Sequence, residues 1–165
     1  CDYGVPQLRP RVVIVGIRND VKSEFEYPIP NRDDTATVGD TLKCLMGANG
    51  WGGADNWAAQ ANKIAPTIVG GSKKHGGPDL GPARARKAWA ELGVDGNGIA
   101  NEAPAPDFEG MPKLTKEMIA LIQGFPPEWN FGQKKTAACR MIGNAFPPPV
   151  ACAVGKEIRR CLENG

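Results

Sequence analysis

The stretch Arg140-Met141-Ile142-Gly143-Asn144-Ala145-Phe146-Pro147-Pro148-Pro149-Val150-Ala151 constrains this chain more than any other. An apolar pair runs into Gly-Asn, an aromatic residue and three prolines, and then a new apolar-periodic segment begins. Gly143 can take positive φ without a Cβ penalty, which suits the residue just past a helix end. Asn144 tolerates that region next best and offers both a donor and an acceptor. Prolines cannot continue a helix, yet one of them can start the next. The pattern predicts a stiff corner between two helices. Its backbone groups either serve a polar ligand or belong to a plain Pro-rich turn.

The chain before that corner opens on Gln7-Leu8-Arg9-Pro10-Arg11, followed by Val12-Val13-Ile14-Val15 and Ile17. A continuous β-branched run fits a strand buried on both faces, in the middle of an α/β sheet. In extended backbone Gln7, Arg9 and Arg11 project to one side. Polar groups at the mouth of a buried strand are where α/β proteins often bind ligands. They are also what a solvated strand entrance looks like.

Residues 19–36 read as a polar exit loop. Thr37-Val38-Gly39-Asp40 is a capping box with Asp in the acidic position, and Val38, Leu42 and Leu45 continue it as a short helix ending near Gly47. Residues 47–58, rich in Gly, Asn and Trp, are expected to be a loop. A short strand at 67–69 enters the basic, Gly-rich stretch Gly70 to Gly77, where Ser72, Lys73, Lys74 and His75 suit phosphate or base contact or a plain surface loop. Pro82 to Leu92 reads as a helix. Arg84, Arg86 and Lys87 in its first turns oppose the macrodipole, which suggests an external anion or a solvated face. Residues 93–112 read as a loop or linker.

Thr115 is a natural N-cap, and Met118, Leu121, Ile122 and Phe125 make one apolar helix face, stopped by Gly124 and Pro126. A second helix is expected from Lys135 to Ile142. After the corner, Val150, Val154, Ile158 and Leu162 are spaced four apart and predict a last helix laying one stripe on the core.

Composition narrows the class. With 165 residues and 41% hydrophobic content, a core is affordable for one domain or one domain plus a piece of another. Gly 21 and Pro 15 make about a fifth of the chain, which predicts long irregular segments. The net charge of +2 argues neither for nor against nucleic acid. Five cysteines, no CxxC and a single histidine imply reduced thiols and no metal site. No apolar run approaches a membrane span. The Cys start predicts a piece of a longer protein.

Three motifs now stand in order: Gln7-x-Arg9-x-Arg11 before a hydrophobic strand, Leu114 to Pro126 as helix and turn, and Gly143 to Ala151. Together they resemble motifs VIII, IX and X of DNA (cytosine-5) methyltransferases, with a target-recognition segment between the first two. The resemblance implies an α/β fold: the C-terminal piece of an S-adenosylmethionine-dependent, Rossmann-like methyltransferase with a small loop-rich target-recognition domain. Residues 1–18 would end the catalytic domain, 19–111 would recognise the target, and 112–165 would return to the catalytic domain.

The resemblance also implies roles. S-adenosylmethionine would donate a methyl group to carbon 5 of a cytosine flipped out of double-stranded DNA. Arg11 would contact the flipped base at O2, Arg9 would serve the catalytic loop or a phosphate, and Gln7 would support the local network. Asn144, with the backbone of Gly143 and Ala145, would line the cofactor pocket. Ser72, Lys73, Lys74, His75, Arg84 and Arg86 would face DNA. The family's Pro-Cys nucleophile and Glu-Asn-Val motif do not occur here; Asn101-Glu102-Ala103 is the nearest string to the latter. The expectation is therefore a fragment inactive alone, needing an N-terminal segment or partner chain, in a cytoplasmic, DNA-associated setting. The alternatives are a non-catalytic DNA-binding or regulatory module, or a degenerate remnant.

Overall fold

The structure is a computed structural model that describes residues 1–21, 23–31, 35–69 and 78–164. Helix α1, Val38–Met46, starts where the capping box places it. The Thr37 hydroxyl accepts the Asp40 N–H at 3.1 Å, and the Asp40 carboxylate accepts the Thr37 N–H at 3.1 Å. The next orphan amides of this helix are met by the chain after α2: Val38 N–H donates to Lys63 and Gly39 N–H to Ala61. This approach is close. A Cβ on Gly39 would overlap the Ala58 carbonyl, so glycine is required there.

Helix α2, Ala54–Gln60, begins inside the stretch 47–58 expected to be a loop and runs past its end. The Gly and Asn content hid Ala-Asp-Asn-Trp-Ala-Ala-Gln, in which alanine favours helix and Trp57 is buried in the core. Helix α3, Ala83–Ala90, follows Pro82 and buries only Trp89. Helix α4, Lys116–Ile122, has Thr115 as its N-cap and buries Met118, Ile119, Ala120 and Ile122. Gly124 ends that turn at φ +88°. One dry cluster joins these helices, from Val38, Leu42 and Met46 through Trp57 and Trp89 to Met118, Ile122 and Ile142. It runs across residues 111–112. The loop at 93–112 is packed into it through Val94 and Ile99, and Asp95 and Ala100 donate their N–H groups to Pro112 and Leu114.

Helix α5, Lys135–Asn144, runs through Gly143. The expectation that Gly143 sits just past a helix end is therefore corrected. The helix stops at Ala145, whose extended backbone (φ −64°, ψ 147°) turns into the prolines. Any residue adopts that conformation, so the turn itself needs no glycine. Helix α6, Pro148–Glu163, begins on a proline as expected. Its buried residues are Val154 and Cys161, while Leu162 is exposed. A spacing of four drifts about 40° per step around a 3.6-residue helix, so the stripe from Val150 cannot stay on one face as far as Leu162.

The expected buried strand is absent among the described residues. Val12 and Ile14 are each 89% exposed. Among the described residues the pairings of strand type are two isolated parallel bridges, Tyr3 with Asn31 and Gln7 with Ala65. A strand needs neighbours to take its N–H and C=O groups and layers to cover its faces. Here the Tyr27 hydroxyl donates to the Val13 carbonyl at 3.1 Å, and no strand flanks the run. The strand expected at 67–69 does not form; the nearest pairing is the bridge at Ala65. No described helix is long and apolar enough to cross a membrane.

Candidate functional site

Three stretches far apart in sequence meet at one place. Leu8 N–H donates to the Ala65 carbonyl at 2.8 Å and Ala65 N–H to the Pro6 carbonyl at 2.9 Å. This lays residues 6–8 extended beside Ala65, and the alternation grades the three polar side chains from core to solvent. Gln7 is fully buried, Arg9 half-buried and Arg11 exposed.

Gln7 uses both ends of its amide. Its Oε1 accepts the Ile68 N–H at 2.7 Å, and its Nε2 donates to Gln123 Oε1 at 2.6 Å. Gln123, also fully buried, passes the chain on by donating to the Ala145 carbonyl at 2.8 Å. Buried amides of this kind are stable only when their partners are present, and here each is met. Arg9 runs parallel to this route. Its Nη1 donates to the Ile68 carbonyl at 2.7 Å, and its Nη2 donates to the Gly143 carbonyl at 2.5 Å and the Ala145 carbonyl at 3.4 Å. Its Nε is buried with no acceptor. Burial first, and then the charge of Arg11, lowers the Arg9 guanidinium from its ordinary value; an arginine remains protonated regardless.

Beyond Arg9 opens a cleft of about 420 Å³, lined by Tyr3, Arg9, Arg11, Tyr27, Phe146 and Val150 among others. Among the described residues Arg11, which lines it, makes a single hydrogen bond, to the neighbouring Pro10 carbonyl at 2.7 Å. Its other donors are open to a ligand. Phe146, Pro147, Val150 and Val154 give the cleft an apolar, aromatic face. The Asn144 side chain is exposed and makes no hydrogen bond among the described residues, while the carbonyls on either side of it are taken by Arg9 and Gln123. Cationic donors facing an aromatic wall suit a flat ligand that carries carbonyl oxygen or negative charge.

The other sequence candidates fall elsewhere. Ser72, Lys73, Lys74 and His75 lie outside the described residues. Arg84 is exposed on α3 with no partner among the described residues. Arg86 turns back instead, donating to the Gly81 carbonyl at 3.1 Å and lying 3.7 Å from the Asp79 carboxylate. That carboxylate answers part of the positive charge at the start of α3. Cys139 is buried, and burial pushes its thiol up to about 11, so it is no nucleophile at neutral pH.

Sequence reasoning gave Gln123 no site role, though it is the residue that joins the Gln7 stretch to the corner. Its signal was a polar amide at the end of an otherwise apolar helix, just before Gly124. Tyr27 and Phe146 were also missed as cleft walls, because aromatic residues in Pro-rich loops carry no period.

The comparisons with known proteins agree with these motifs. The family model described as C-5 cytosine-specific DNA methylase matches residues 1–160. The chain is 60% identical over 164 residues to the Type II methyltransferase M.NaeI of Lentzea aerocolonigenes, covering 98% of this chain and 40% of that protein. It is 46% identical over 165 residues to the Type II methyltransferase M.NgoMIV of Neisseria gonorrhoeae, covering 98% of this chain and 52% of that protein. A third relative, the Type II methyltransferase M.Sau96I of Staphylococcus aureus, is 33% identical over 180 residues. The chain thus spans about half the length, or less, of these curated relatives. With a matching family model over nearly its whole length, and with its three motif stretches meeting beside one cleft, this chain belongs to the C-5 cytosine-specific DNA methylase family.

Proposed function

We propose that this chain is the C-terminal portion of a DNA (cytosine-5) methyltransferase, supplying base clamping, target recognition and one wall of the methyl-donor site. The observation that carries this is the meeting of Gln7, Arg9, Gln123 and the 143–145 corner beside the cleft that Arg11 faces. S-adenosylmethionine, when bound, supplies the methyl group. Phe146 and Val150 in the cleft wall would offer apolar contact to such a cofactor, and Asn144, next to the wall but outside the cleft lining, offers an exposed amide with no partner among the described residues. In this reading Asn144 and the backbone of Gly143 and Ala145 line the donor site, and Arg11 donates to O2 of the flipped cytosine. A guanidinium there stabilises negative charge that builds on the ring as a nucleophile adds. Gln7 supports the network, and Arg9, committed to three carbonyls, holds rather than touches.

Residues 1–18 and 112–165 belong with the catalytic domain in this reading, and 19–111 with recognition. The stretch 70–77 and Arg84 face double-stranded DNA, with Arg86 fixing the start of α3 beside them. The missing Pro-Cys and Glu-Asn-Val segments come from the remainder of the enzyme. That remainder would also complete the Rossmann-like sheet by covering the run from Val12 to Ile17. Val12 and Ile14, exposed at 89%, are what an open sheet would bury.

The test is methyl transfer from labelled S-adenosylmethionine to duplex DNA. The chain alone should give none. Adding a polypeptide with the Pro-Cys and Glu-Asn-Val segments should restore it, and Arg11→Ala in that assembly should lower turnover about 100-fold or more, as for loss of an oxyanion donor. Transfer by the chain alone would sink the split arrangement. Near-normal turnover by Arg11→Ala would remove its role and favour a DNA-binding module.

A further inference from the structure

A second cleft, of about 390 Å³, lies between α4 and the turn that follows it, and it shares no residue with the cleft at Arg11. Leu45 of α1, Ala120 and Leu121 of α4, Pro126, Pro127, Trp129 and Phe131 give it apolar and aromatic walls. The turn is fixed at both ends. Phe125 N–H donates to the Ala120 carbonyl at 3.0 Å, and Trp129 N–H donates to the Pro126 carbonyl at 3.0 Å. Lys116 Nζ donates to the Gly132 carbonyl at 2.6 Å, and Gly132 N–H donates to Asn130 Oδ1 at 2.7 Å. Two prolines restrict the backbone between these bonds. Buried Phe125 backs the aromatic wall, its ring centroid 5.4 Å from Trp129 and 4.8 Å from Phe131. Trp129 is thus held in place, yet it is 57% exposed, and its indole N–H makes no hydrogen bond among the described residues.

The charges of the lining select among ligands. One lysine stands against two glutamates. The Lys116 ammonium is committed to Gly132 and lies 3.6 Å from the Glu117 carboxylate. Glu128 has no partner among the described residues. A cleft with a spare carboxylate repels phosphate, and the negative faces of aromatic rings add attraction for a cation. Its volume is that of a small-molecule site with walls already formed.

We propose that this cleft binds a small organic cation, an ammonium group on a compact apolar body, with Trp129 and Phe131 against the body and Glu128 answering the charge. The inference goes beyond the methyltransferase reading and does not rest on it.

Choline and its neutral isostere 3,3-dimethylbutan-1-ol test this on the chain itself, by titration in proton–nitrogen correlation spectra. With choline the Trp129 indole resonance should shift and saturate, with a dissociation constant of about 1 mM or below. The Trp57 indole, buried and bonded to the Gly93 carbonyl at 3.1 Å, should stay in place. The neutral isostere should bind about fivefold more weakly, and Glu128→Gln should weaken choline about threefold while leaving the isostere unchanged. Trp129→Ala should weaken choline about tenfold, read from the Phe131 amide. If Trp129→Ala also displaces the Trp57 indole, its fold is disturbed and Glu128→Gln decides. Equal binding of choline and the isostere overturns the proposal. So does a Trp129 resonance that choline leaves unmoved, or deoxycytidine monophosphate binding there as tightly as choline.

Discussion

The middle of this molecule and its N-terminal edge are both rich in large apolar residues but use them in opposite ways. Between Val38 and Ile142, helices α1 to α5 bury Leu42, Met46, Trp57, Trp89, Met118, Ile119 and Ile122 in one dry cluster. Along the edge, Leu8, Val12, Ile14, Tyr27 and Ile29 are exposed, and α6 adds an exposed Leu162. The first region is complete as a fold. The second leaves its apolar side chains uncovered, and in the proposed function it is the surface that the remainder of the enzyme covers. The difference shows that hydrophobic pattern specifies what must be buried, while the partner that buries it can lie in a different part of an enzyme.

Substitutions can break this contrast or sharpen it. The largest effect is expected at Trp89, fully buried and the one buried side chain of α3. Trp89→Ala should cost about 3–5 kcal/mol in urea unfolding of the chain. A loss under about 1 kcal/mol would mean that the middle is not a tight core after all. Gln123→Leu comes next. It leaves Gln7 Nε2 buried without its acceptor and removes a donor from Ala145, so stability should fall by about 1–3 kcal/mol. An unchanged denaturation midpoint would show that the two regions are not joined through this pair. The smallest effect is expected at the edge. Val12→Thr with Ile14→Thr should change the stability of the chain by less than about 0.5 kcal/mol, because neither side chain is covered. The same pair should weaken association with the complementing polypeptide, measured by titration calorimetry. Strong destabilisation of the chain alone would mean that the edge is already buried in solution.

Local signals were the legible part of the sequence. Thr37-x-x-Asp40 and Thr115 fixed two helix starts because a cap is a contact over three residues, visible in any short window. The order of the three motifs made the family legible, and the placement of Gln7, Arg9 and Arg11 on one side followed from extended backbone. The Val12 run misled because its composition states what the strand needs and not whether its neighbours are present. Gly143 misled in another way: a glycine before Asn and prolines reads as a cap, yet α5 continues through it and Ala145 makes the turn. Gln123 was unreadable as a link because its partners, Gln7 and Ala145, lie 116 and 22 residues away.

Trp89 is the one fully buried side chain of helix α3, while Arg84 and Lys87 are exposed. Such a helix keeps its place whatever its outward residues are, provided they favour helix. Its outer face can therefore be rewritten from one relative to another at almost no cost in stability. Were α3 to face DNA as proposed, such a chain could acquire a new DNA preference by change on one exposed surface, while the buried tryptophan preserves the scaffold beneath it.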